Sequence, residues 1–235
     1  MNSCSNHNTL SIGHRGAKGY VAENTYESIS KAIQLGVDGI EIDVFKCASG
    51  ELVLFHDKDL KELTGESGLI ENLTIKELEQ FLVLGKYKIP TLTDILTRIE
   101  EPLFVNIELK GLNTAQATSK IIADISTNTS WSLEHFIVSS FNWNELEQFR
   151  SIDKNTPVGV LVSKSMSINE AIEFGKKINA QAIHPNFKLL NDKTVKKIKN
   201  NGFKIYTWTV NDNNDINFMK KLKVDGIISD YPDRI

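Results

Sequence analysis

The sequence predicts an α/β protein: one (β/α)8 barrel spanning residues 1–235, with an extra β-hairpin arm after strand two and a missing or very short final helix. Three observations predict it. Eight short apolar runs alternate with amphipathic stretches of helical period, the pattern of parallel strands joined by helical crossovers. A chain of 235 residues suits one such barrel. No linker or low-complexity block divides it. An open doubly wound sheet is the other arrangement these elements allow.

The elements run as follows. TLSIG (9–13) is the first strand and TYESISKAIQLG the first crossover helix. GIEIDVF (39–45) is the second strand. ELVLFH (51–56) follows too soon for a helix to intervene, so a parallel crossover is excluded. A hairpin turning at Ser49–Gly50 is expected instead, and this register sets His56 roughly opposite Asp43. LFVNIEL (103–109) is the third strand, preceded by the helical stretch TLTDILTRIE. FIVSS (136–140), VGVLV (158–162), QAIH (181–184), KIYTW (204–208) and GIIS (226–229) complete the eight. TAQATSKIIADIS, NELEQFRSI, INEAIEFGKKI, DKTVKKIKNNG and NDINFMKKLKV supply the helices between them. No eighth helix follows GIISDYPDRI, so the closing seam falls to the N-terminal residues, to the partner in a homodimer, or to nothing.

The bulk numbers exclude several classes. A formal net charge of -3 gives no basic surplus to attract nucleic acid or anionic lipid. The two cysteines, Cys4 and Cys47, form neither a zinc pattern nor a disulfide framework, which favours a reducing compartment. The first residues lack a basic segment followed by an apolar one, so no signal peptide is expected. No apolar run reaches the length of a membrane span. The expectation is a cytoplasmic protein without stable membrane insertion.

Chemistry in a (β/α)8 barrel sits at the C-terminal ends of the strands. Strand one ends in His14 and Arg15, and strand two carries Glu41 and Asp43, two apart and so on one face. The hairpin returns His56 and Asp57. Asn106, Glu108 and Lys110 share a face of strand three, while His184, Trp208 and Asp230 end strands six, seven and eight. Glu41, Asp43 and Glu108 would converge, repel and resist ionisation. One divalent cation removes that penalty, and all-oxygen ligation favours Mg²⁺ or Ca²⁺ over zinc. Arg15 and Lys110 beside it make a pocket for phosphate. His14 and His56 approach from neighbouring segments as a general acid and base.

GHRG, EN (Glu23, Asn24), GIEIDV, HD, NIELK, TWTVN and DGIISDYP, in that order between about Ile12 and Pro232, resemble the glycerophosphodiester phosphodiesterase family. The resemblance implies a phospholipase-C-like TIM barrel and metal-dependent hydrolysis of glycerophosphodiesters to glycerol 3-phosphate and an alcohol. It implies His14 and His56 as the acid–base pair and Glu41, Asp43 and Glu108 as metal ligands. Arg15 and Lys110 would contact phosphate, and Trp208 would form a wall for the glycerol moiety. Ala22 stands where the family usually has proline before EN, implying a looser turn. The segment after His56 lacks the larger insertion of some members, implying an open mouth that suits varied alcohols.

Plainer readings stand beside these. The carboxylates, Arg15 and Lys110 would serve as a buried salt-bridge cluster, a poor route to stability. Trp208 would fill core, and His184 would be a structural histidine. Asp57 would ligate, orient a histidine or cap a turn, and Asn24 would cap the first helix or face the pocket. The lysine-rich helices read as solvated faces. The alternative enzyme is a lysophospholipase D-type phosphodiesterase, which needs an apolar groove at the mouth; Phe141 and Trp143 are the aromatic residues nearest to one. The alternative of another class is a non-catalytic phosphodiester-binding barrel.

Overall fold

The structure is a computed structural model and describes residues 8–235. Cys4 and most of the N-terminal stretch judged against a signal peptide lie outside the described residues. Eight parallel strands close on themselves: β1 (Leu10–His14), β2 (Gly39–Lys46), β3 (Phe104–Leu109), β4 (Phe136–Ser140), β5 (Val158–Val162), β6 (Ala182–Pro185), β7 (Lys204–Thr207) and β8 (Gly226–Ser229). Each pairs with its successor, and β1 pairs with both β2 and β8, with Ile12 beside Gly39 and Ile228. This is the predicted barrel and excludes the open sheet, whose edge strands would stay unpaired.

Period-two alternation sorts each strand into two environments. Ile40, Ile42, Val44, Val105, Ile107, Val138, Val160, Ile183, Ile205 and Ile227 point outward into the main core under the helices. Ile12, Ile137, Tyr206 and Ile228 fill the barrel, with Leu10 and Phe104 packed against them. The bulky interior residues need small partners. A Cβ on Gly159 would overlap the ring of His184, so β5 carries glycine at that position.

The outer helices are α1 (Tyr26–Gln34), α2 (Lys61–Thr64), α3 (Ile75–Leu78), α4 (Leu92–Arg98), α5 (Ala115–Asn128), α6 (Trp143–Ile152), α7 (Ile168–Lys177), α8 (Asp192–Asn200) and α9 (Asn213–Lys221). Thr25, Thr91, Asn142, Ser167, Asn191 and Asp212 cap six of them by accepting from the first-turn N–H groups. The cap of α1 is thus Thr25, whose Oγ1 accepts from Ser28 N at 3.1 Å, and not Asn24. The lysines of α8 and α9 lie on exposed or half-buried faces as expected. After β8 a 3₁₀ turn, Pro232–Arg234, packs back on β1, and Ser11 Oγ donates to Pro232 O at 2.7 Å. No helix among the described residues is long and apolar enough to cross a membrane.

The hairpin arm is present but one residue out of the expected register. Val44 faces Leu54 and Phe45 faces Val53, so Phe55 falls opposite Asp43 and donates its N–H to Asp43 O. The cause is the turn. Gly50, at φ 107, closes a three-residue loop in which Cys47 N donates to Glu51 O, which centres the hairpin on Ser49. Phe55 is thereby buried with Phe45, Val53, Leu60 and Ile70 in a small core of its own. His56 emerges beyond the paired stretch, on the loop that leads to the barrel mouth.

Candidate active site

The end of β1 builds the first wall. Alternation from Leu10 and Ile12 turns His14 inward. The chain then turns sharply through Arg15 (φ 51) and Gly16 (φ 82), where a Cβ on Gly16 would lie 2.5 Å from Ser28 Oγ. A left-handed arginine is strained. The turn also aims the Arg15 backbone N–H at Glu41 Oε2, 3.0 Å away. The Arg15 guanidinium donates to Glu23 Oε1 at 2.5 Å, and its Nε sits 3.2 Å from Asp43 Oδ2 as an ion pair without hydrogen-bond alignment.

β2 and β3 lie side by side with Glu41 beside Asn106 and Asp43 beside Glu108. Period two sends all four inward, and a ligand atom of each of Glu41, Asp43 and Glu108 lies within 4.8 Å of the others. The three carboxylates are buried. Lys110 Nζ stands 3.0 Å from Glu108 Oε1 and 3.9 Å from Asp43 Oδ1. Burial, then the charges of Asp43 and Glu108, raises Glu41 well above the usual carboxylate range. Burial, then Asp43, pushes Glu108 up to about 7. Burial works against ionisation of Asp43 as well, but Arg15, Lys110 and His56 outweigh it and hold Asp43 low. Burial of Lys110 is outweighed by Glu108 and Asp43, so its ammonium is stabilised.

Each histidine is held by an aspartate. His14 Nδ1 meets Asp230 Oδ1 at 2.6 Å, which assigns the proton to Nδ1 and leaves Nε2 toward Glu41 Oε2 at 3.9 Å. Asn211 Nδ2 in turn donates to Asp230 Oδ2 at 2.7 Å. His56 Nδ1 meets Asp57 Oδ1 at 2.7 Å. Burial lowers both histidines from their ordinary value, Asp230 opposing this for His14 and Asp43 for His56. Each ring thus keeps one nitrogen that its aspartate does not hold, the position at which a proton is taken up or given.

His14, Arg15, Glu41, His56, Glu108, Lys110 and Trp208, all predicted from sequence, line one pocket of about 90 Å³ together with Asn106, Phe141, Leu161 and Ile228. Asp43 is not among the lining residues but lies against Glu41 and Glu108, which are. Trp208 is anchored by Nε1 donating to His184 O at 2.8 Å and its ring meets Phe141 edge-on; it lines the pocket on one side and packs against the interior core on the other. Trp143 points elsewhere, stacking on Phe174 between helices.

Sequence reasoning did not say which residues hold the others in place. Of its two readings of Asn24 the structure meets the pocket one: at φ 56 it grips Asp43, while Thr25 caps the helix. Glu23 pairs with both Arg15 and Lys18, and Ser139 Oγ donates to Asn106 Oδ1 at 2.8 Å. The EN motif and the position of Asp230 at a strand end were the available signals. Asn211 closes the TWTVN motif, but only the fold shows that it holds Asp230.

The donor set fits a hard dication: three buried carboxylates, two of them pushed above their ordinary pKa, are ligands short of a cation. Three carboxylates against Arg15 and Lys110 leave one net negative charge. A dication converts this to one net positive charge, matching one phosphodiester monoanion.

Fold and site together define a (β/α)8 enzyme of the phosphodiesterase class. The chain belongs to the glycerophosphoryl diester phosphodiesterase family, whose model matches residues 14–234. A glycerophosphodiester phosphodiesterase of Caldanaerobacter subterraneus is 30% identical over 236 residues, 97% of this chain and 96% of the relative. A phosphodiesterase of Oleispira antarctica, solved with the product sn-glycerol-3-phosphate, is 28% identical with a TM-score of 0.85, covering 95% of this chain and 94% of that one. The glycerophosphodiester phosphodiesterase of Thermotoga maritima is 29% identical with a TM-score of 0.81, covering 97% of both chains.

Proposed function

We propose that this chain hydrolyses glycerophosphodiesters to glycerol 3-phosphate and an alcohol, acting as a single catalytic domain. Glu41, Asp43 and Glu108 would hold one Mg²⁺ or Ca²⁺. Bound there, the ion would withdraw charge from a non-bridging phosphate oxygen. Arg15 and Lys110 bind the other phosphate oxygens and stabilise charge developing on them. His14 and His56 form the acid–base pair: one, neutral, takes the proton of the attacking oxygen at its free ring nitrogen, and the other, as the imidazolium with a proton on both nitrogens, gives one to the departing alkoxide. Asp230 and Asp57 fix the tautomers, and Trp208 with Phe141 packs on the glycerol carbons.

The observation that carries this reading is the meeting of three carboxylates, two cations and two aspartate-held histidines at one barrel mouth. A structural salt-bridge cluster would not leave Glu41 and Glu108 resisting ionisation. Against the lysophospholipid alternative, the wider cavity beside Arg15 and His56 has polar and charged walls with one apolar residue, Leu63.

The test is release of glycerol 3-phosphate from glycerophosphocholine, followed with Mg²⁺, Ca²⁺ and chelator. Turnover abolished by chelator and restored by either ion is expected. Metal-indifferent turnover would remove the cation from the mechanism, and no turnover with intact phosphodiester binding would favour the non-catalytic barrel.

A further inference from the structure

The arm after β2 carries a two-stranded ribbon that the reaction does not use, with Leu82–Val83 paired to Tyr87–Lys88. Leu84 and Gly85 turn it, at φ 50 and φ 66, and Lys86 N donates to Val83 O at 3.1 Å. Both turn residues are left-handed, as in a type I′ turn, where asparagine followed by glycine is the favoured pair. Glycine takes this conformation freely, whereas leucine does so against its own side chain. Leu84 gains no packing in exchange, because it is 62% exposed. A strained apolar residue left in solvent, at a position made for asparagine, points to a contact outside the folded chain.

The two faces of the ribbon differ. Val83 is buried in the small core of the arm, with Phe81 and Tyr87 packed against that core. Leu82, Leu84, Lys86 and Lys88 are all exposed. Residues 80–90 contain no carboxylate, and α2 beneath the turn sets Lys61 against Glu62. The outer face is therefore apolar and cationic, which the net charge of -3 for the whole chain conceals. Lys86 Nζ lies over the Tyr87 ring at 4.8 Å. An apolar tip, a half-buried tyrosine and flanking lysines together suit the headgroup layer of an anionic bilayer.

The ribbon also stands at the barrel mouth. Leu84 N donates to Leu63 O at 2.6 Å, and Leu63 lines the mouth beside Arg15 and His56. Leu112, 63% exposed on the loop after β3, lies at the same end of the barrel and is tied to the arm by donating its N–H to Glu71 Oε1 at 3.2 Å.

We infer that the ribbon 82–88 docks this protein reversibly on anionic lipid surfaces, with Leu84 as the inserted tip and Lys86 and Lys88 as the headgroup contacts. The docking turns the barrel mouth toward the bilayer and does not depend on which reaction the site performs.

The experiment is co-sedimentation of the full chain with vesicles of phosphatidylcholine alone, or of phosphatidylcholine and phosphatidylglycerol in equal parts, in low and high salt. The wild type is compared with Leu84→Asn, Lys86→Gln and Lys88→Gln. The wild type should pellet with the anionic vesicles, less so in high salt, and stay in solution with the neutral ones. Leu84→Asn should weaken binding about tenfold. Because asparagine suits the turn, that variant should unfold no earlier on heating than the wild type. Each lysine change should weaken binding about fivefold. Glycerophosphocholine turnover should be the same in all four proteins. A wild type that ignores anionic vesicles, or a Leu84→Asn variant that binds them equally well, would overturn the inference. So would earlier unfolding of Leu84→Asn, which would make Leu84 a residue of the fold, or loss of self-association in it, which would give the tip to a second copy of this chain.

Discussion

Asn24 holds Asp43 by two hydrogen bonds: its Nδ2 donates to Asp43 Oδ2 at 2.9 Å, and the Asp43 backbone N–H donates to Asn24 Oδ1 at 3.2 Å. Asn24 is buried, sits at φ 56 and donates its own N–H to Arg15 O, so one residue ties the β1 turn to the carboxylate cluster. Asparagine tolerates this left-handed backbone better than most residues.

Asn24→Ala should therefore loosen Asp43 without unfolding the barrel. Partners that orient metal ligands are typically worth about 10–100-fold in metal affinity or activity. Titrating Mg²⁺ against activity in the wild type and variant checks this. A lowered metal affinity with normal circular dichroism is expected.

The barrel was legible in the sequence because a strand buried on both faces is an unbroken apolar run, and eight such runs left little choice of topology. The chemical residues were legible for the converse reason: Glu41, Asp43 and Glu108 break such runs at period two, where only an inward-facing cluster explains them. The contacts that fix those residues were hidden. The hairpin slipped by one because Gly50 takes a left-handed φ, which sets a three-residue loop that the dipeptide alone does not announce. Asn211 and Asp230 are 19 residues apart, and only the curl of the barrel makes them partners.

The two histidines should each matter through proton transfer. His14→Ala and His56→Ala are expected to lower kcat by about 10²–10⁴-fold at saturating metal. Asp230→Asn should impair His14, since Asp230 fixes its tautomer at 2.6 Å. Measuring kcat alongside thermal unfolding separates this from loss of fold, and wild-type turnover in either alanine variant would remove that histidine from the mechanism.

Glu108 makes the metal-free fold sensitive to pH. Its folded value of about 7 lies above the ordinary 4.5, so between these limits the native state keeps a proton that the unfolded chain has released. The native state then binds more protons, and its stability falls as pH rises from about 4.5 to 7. Urea unfolding without metal should show this component in the wild type and not in Glu108→Gln. Added Mg²⁺ should stabilise the wild type more at pH 8 than at pH 5.5, because at the lower pH it must displace that proton.

His184 provides the opposite slope. It stands wholly buried inside β6, packed on Tyr206 and the Gly159 backbone, and neither ring nitrogen has a hydrogen-bond partner. Burial alone drives its pKa down to about 3, so the folded chain keeps it neutral. The unfolded chain takes up a proton below pH 6.5. Between pH 6.5 and about 3 the unfolded state therefore binds more protons, and stability falls as the pH falls, by about 1.4 kcal/mol per unit. His184→Leu removes that group and its unsatisfied nitrogens at similar volume. The variant is expected to be at least as stable as the wild type at pH 7 and to lose less stability on going to pH 4.5, a difference of a few kcal/mol. Urea melts of both proteins across that range measure it. An identical acid slope in the two would mean that His184 finds a protonated partner state inside the barrel.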